Sequence, residues 1–128
     1  MNQAADRKLA PLSRVFTAAA DAEAFEITHL EGRMLDVPIA LKTLMVTDSM
    51  VAVEHLIPAG QITPLHSHDD HVSIVYLIRG KMKVNIDGEK FLAGPGDSWC
   101  NQPGVPHNLE AVEDCLSLEI KSPPIKTW

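Results

Sequence analysis

A chain of 128 residues suits a single domain built around one core. Its 45% apolar and 22% charged content is that of an ordinary globular protein, and the longest apolar run, residues 74–78, is far too short to span a bilayer. The net charge of −6 argues against nucleic-acid binding, which needs a basic surface to displace phosphate counterions.

No apolar stretch follows the first residues as it would in a secretory signal, so the expected location is cytoplasmic. Cys100 and Cys115 match no C-x-x-C pattern and are expected as two reduced thiols. Residues 1–24 form an N-terminal arm. Residues 6–24 are Ala-rich and place Leu9, Leu12, Val15 and Phe16 at helix-like spacing, which predicts a helical turn or two lying on the rest of the chain or on a partner. From Phe25 to the end, residues 25–128, the period changes to two. Strands are predicted over 39–46, 50–57, 72–78, 82–86, 90–93 and 116–120, separated by turns such as Pro58-Ala59-Gly60, Arg79-Gly80 and Gly94-Pro95-Gly96-Asp97. The clearest hairpin runs from Met82 to Phe91 around Asp87-Gly88, a pair suited to the positive dihedrals of a tight turn. Many short strands at this spacing indicate an all-β sandwich or barrel.

Four of the six histidines fall between His66 and His107. His66-Ser67-His68 puts two imidazoles on one face of an extended segment. His107 lies about forty residues further on, where a closed sheet can bring it opposite the pair. Neutral imidazole nitrogens suit zinc, iron, nickel, copper or manganese. Other residues are weaker candidates. Tyr76 shares a face with Ile74 and Ile78, opposite Ser73, and is read as packing. Only one of Trp99 and Cys100 can face a pocket, and Cys100 has no base beside it. Gln61, Gln102 and His55 are possible pocket groups; Glu54 and His55 lie on opposite faces, and His29 has no assigned role. Paired carboxylates, a phosphate-cradling loop and a Ser/His/Asp order are not evident.

Together these residues resemble the cupin superfamily. Gly60, His66, His68 and Gly80 fall in register with its first motif, and Gly96-Asp97, Gly104 and His107 with its second, Pro103 standing one place later than the usual proline. The resemblance directly covers 58–108. It implies a double-stranded β-helix, or jelly-roll, barrel with a short, partly helical N-terminal arm. It also implies one divalent metal ion on His66, His68 and His107, with iron favoured slightly over manganese, zinc or nickel. The motif's acidic ligand position holds Ser73, whose neutral hydroxyl is a poor ligand, so three histidines with open positions are expected. Asp69, Asp70 and His71 are near enough to compensate, but each is expected as a solvated loop residue. Such a site implies a metalloenzyme acting on a small, chelating, anionic substrate, with dioxygenase-like chemistry favoured over isomerase or lyase chemistry. The alternative is a non-catalytic cupin that binds or senses a small molecule, its metal structural or absent. The resemblance further implies a homodimer, since small cupin barrels leave an apolar sheet face to cover.

Overall fold

The computed structural model describes residues 7–128. Nine strands follow one another: β1 (Glu23–Leu30), β2 (Arg33–Val46), β3 (Val51–Ile57), β4 (Val72–Arg79), β5 (Met82–Ile86), β6 (Glu89–Ala93), β7 (Ser98–Asn101), β8 (His107–Ala111) and β9 (Cys115–Ser122). They form a six-stranded sheet in the order β1-β2-β3-β9-β4-β7 and a three-stranded sheet in the order β6-β5-β8. Every pairing is antiparallel. Insertion of β9 between β3 and β4 gives the crossed connectivity of a jelly roll, as expected.

The β5–β6 hairpin shows how local sequence sets local structure. Met82 and Val84 alternate with Lys83 and Asn85, and Asp87 and Gly88 turn the chain with φ of 53° and 85°. At Gly80, φ is 103° and an added Cβ would meet the Asp114 carbonyl oxygen at 2.5 Å. Only glycine therefore lets β4 turn this tightly into β5.

Leu41, Val51, Val53, Leu77 and Met82 are at most 1% exposed and form the centre of the core between the sheets. Along the middle of the large sheet the inner row becomes polar. Ser117, Lys121 and Ser73 are buried there, while Leu56, Ile74, Tyr76, Ile78 and Ile120 on the outer face are 38–55% exposed. Tyr76 does share its face with Ile74 and Ile78, but that face looks outward.

The arm lies on the barrel of its own chain. The Leu9 N–H donates to the Pro124 carbonyl at 2.8 Å, and the Leu12 N–H to the Val46 carbonyl at 3.0 Å. Leu9 and Leu12 pack against the core, whereas Val15 and Phe16 are 97% and 77% exposed. Among the described residues of the arm from 8 onward, the helical content is one 3-10 turn, Ala19–Asp21. Residues 1–6 lie outside the described residues. β1 starts at Glu23, one residue before the expected end of the arm, and no strand was predicted separately there. No helix among the described residues is long and apolar enough to cross a membrane.

Candidate metal centre

Between β3 and β4 the chain runs alongside β8 without becoming a regular strand, because Pro58 and Pro64 lack amide donors. Its other backbone groups find partners on or near β8. Gly60 donates to Ala111 at 2.8 Å, Thr63 to Leu109 at 2.9 Å, and Gly104 to His68 at 2.8 Å. His66 and His107 exchange both backbone hydrogen bonds, at 3.1 and 2.9 Å, and so stand directly opposite each other. The three expected histidines are thereby brought together. Ring centroids are 4.4 Å apart for His66 and His107, 4.9 Å for His68 and His107, and 6.3 Å for His66 and His68.

Each of these rings is anchored in the same way. His66 Nδ1 lies 2.7 Å from the Pro64 carbonyl oxygen, His68 Nδ1 3.1 Å from that of His71, and His107 Nδ1 2.9 Å from that of Val105. A carbonyl only accepts, so each Nδ1 must carry the proton and donate it. Burial is the largest influence on all three rings and holds each below its ordinary pKa, favouring the neutral form. A neutral ring protonated at Nδ1 keeps a free lone pair on Nε2. Three Nε2 atoms presented together are a donor set for a divalent cation of borderline softness. Among the described residues, no group of three or more His, Cys, Asp or Glu side chains already stands in an arrangement that holds an ion. The three rings are gathered at unequal separations.

Of the residues expected to be solvated, His71 departs. It is 3% exposed and stacks on His68 with centroids 3.7 Å apart. Burial pushes its pKa down to about 4. Its Nδ1 lies 2.8 Å from Asp70 Oδ1, and Asp70 pairs with Arg7 at 3.1 Å. Asp70 is thus committed to the arm and to His71, and Asp69 is exposed.

Ser73 is fully buried. Its hydroxyl oxygen accepts from Asn101 Nδ2 at 3.3 Å, and the hydroxyl lies near the Glu119 carboxylate. Glu119, on β9, lines the cavity that the histidines line, together with His55, Trp99 and Asn101. Burial pushes the Glu119 carboxyl up, but Lys121, then His55 and Ser73, outweigh it and leave it below its usual value. His55 Nε2 is 3.8 Å away, and burial holds His55 below its own ordinary value, so Lys121 is the main compensating charge. Sequence reasoning missed Glu119, Asn101 and Lys121. The available signal was the run 115–121, in which polar and apolar residues alternate and either set can face inward.

Other expectations resolve simply. Trp99 faces the cavity and its neighbour Cys100 does not. His55 faces inward and Glu54 outward. Gln61 is buried, but its amide is spent on both backbone groups of Val37, at 3.2 and 3.1 Å. Gln102 and His29 are exposed.

The family model for the cupin domain matches residues 53–120. Oxalate decarboxylase OxdC of Bacillus subtilis is 30% identical over 81 residues, which are 59% of this chain and 21% of that protein. The pectin degradation protein KdgF of Dickeya dadantii is 31% identical over 67 residues, 52% of this chain and 60% of that protein. The chain therefore matches less than two thirds of the length of either relative. The solved structure of KdgF from Halomonas sp. has the same fold, with a TM-score of 0.74, 24% identity, and coverage of 87% of this chain and 94% of that one.

Proposed function

Because the chain belongs to the cupin family, we propose that it is a metal-dependent enzyme, with one divalent ion on His66, His68 and His107 and a small chelating anion as substrate. The observation that carries this reading is the set of three Nδ1-anchored histidines around a cavity that also holds a carboxylate. When bound, the ion supplies Lewis-acid polarisation of substrate oxygens. The chain supplies the rest. Carbonyl bonds orient the three rings, Ile57, Val75 and Trp99 keep the cavity largely apolar, and Glu119 is the group able to take a proton and return it.

The expectation of dioxygenase-like chemistry rested on the missing carboxylate at Ser73. Glu119 now stands in the same cavity from another strand, which favours proton transfer, of the isomerase or lyase type, over oxygenation. The test is to incubate metal-supplemented protein with a panel of small carboxylates in deuterated water, following carbon-bound hydrogen by NMR and oxygen uptake in parallel. Exchange or conversion of at least one acid without oxygen uptake is the expected result. Oxygen uptake without exchange would overturn it in favour of an oxygenase. Inertness in both assays, with binding retained, would leave the sensing module.

The assembly in this reading is a homodimer. Leu56, Ile74, Tyr76, Ile78 and Ile120 are exposed on the adjoining strands β3, β9 and β4, and this many apolar side chains on one sheet face call for a cover. The arm is already engaged by its own barrel, so the sheet face rather than the arm is the proposed contact. Light scattering at tens of micromolar should give twice the chain mass; a monomer refutes the dimer.

A further inference from the structure

The Ser73 hydroxyl has one proton and two neighbours. The Asn101 amide donates through Nδ2 to the serine oxygen, at 3.3 Å. The hydroxyl proton is then free to point toward the Glu119 carboxylate, which can only accept. Asn101 Oδ1 is left over. It is buried without a partner, in a residue 5% exposed that lines the histidine cavity. A buried acceptor without a donor is costly, and a ligand that brings a donor relieves the cost.

Lys121 keeps Glu119 charged, but its ammonium donates to the Ile125 carbonyl at 3.2 Å and to Thr127 Oγ1 at 2.9 Å. The cavity measures about 80 Å³. One water needs roughly 10–15 Å³ on this scale, so the space suits a ligand of only a few heavy atoms.

From this geometry we infer that Asn101 and Glu119 form an acceptor wall that selects the ligand, a short carboxylate bearing a hydroxyl or amino group on the adjacent carbon. This rests on the metal reading above: the histidine-held cation takes the anionic oxygens, and the wall takes the donor. Both wall groups are acceptors, so a carboxylate lacking the donor leaves Asn101 Oδ1 unpaired.

The experiment loads the protein with cobalt(II), whose visible spectrum reports the histidine ligands, and titrates glycolate and acetate by calorimetry. Wild type should bind glycolate at least about tenfold more tightly than acetate. Chelation of the ion by glycolate adds to that ratio in every variant, so the change between proteins is the readout. Asn101→Leu and Glu119→Gln should each keep cobalt and lower the ratio by about tenfold. A ratio unchanged in both variants overturns the inference. Loss of cobalt in Glu119→Gln overturns it differently, by making Glu119 a metal ligand. A wild type that takes up no cobalt overturns the metal reading and this inference with it, whereas normal uptake with equal response to the two acids overturns the inference alone.

Discussion

Strands β5 and β9 alternate apolar and polar residues in the same way and face opposite directions. In β5, Met82 and Val84 are buried at 0% and 3% exposure, and Lys83 faces water. In β9, Leu116, Leu118 and Ile120 turn outward, while Ser117 and Lys121 are buried at 2% and 1% and Glu119 lines the cavity. Period two establishes which residues share a face and leaves open which face is inside. Position decides that. β5 is the middle strand of the small sheet and covers the core with apolar side chains. β9 is flanked by β3 and β4 and supplies the polar lining of a cavity. Its outer apolar row then becomes surface that a second subunit can cover.

Four substitutions probe this contrast, all read by chemical denaturation. Met82→Ala empties a fully buried site in β5 and should cost about 2–5 kcal/mol. Lys121→Met leaves the Ile125 carbonyl and Thr127 without their donor and Glu119 without its main compensating charge; a loss of about 1–3 kcal/mol is expected. Unchanged stability would mean that the polar row of β9 is not structurally committed. Ser73→Ala removes the hydroxyl between Asn101 and Glu119 and should cost about 1 kcal/mol. Metal content should stay near wild type in that variant, and its full loss would make Ser73 a ligand after all. Leu118→Ala, on the outer row, should cost the folded chain less than about 1 kcal/mol. A loss as large as that of Met82→Ala would dissolve the contrast between the two strands.

The same contrast explains what could be read in advance. The β5–β6 hairpin was legible because Asp87-Gly88 has few backbone options. The gathering of His66, His68 and His107 was legible because their spacing places two on one face and the third across a pairing. Glu119 was not, since a carboxylate within an alternating strand is ordinarily assigned to solvent. Asn101 lies in a four-residue strand too short to display a period. His71 was expected in water, yet its stacking on His68 buries it, a contact between loop residues that strand parity cannot reveal. Leu9 and Leu12 have helix-like spacing, but in the structure they reach the core from a chain whose amides bond Pro124 and Val46. Their three-residue separation is equally served by an irregular segment pinned at both points.

The metal reading requires the three Nδ1-anchored histidines to hold one ion. Elemental analysis of protein purified without a metal-affinity tag, then of His66→Ala and His107→Ala, tests it most directly. About one divalent ion per wild-type chain is expected. Each variant should lose most of it and bind at least about 100-fold more weakly, since even outer-shell partners of metal ligands contribute 10–100-fold. Both variants should stay folded, because the core of Leu41, Val53, Leu77 and their neighbours stabilises the barrel without the ion. A wild type that carries no ion and takes none up, or variants that keep full occupancy, would contradict it.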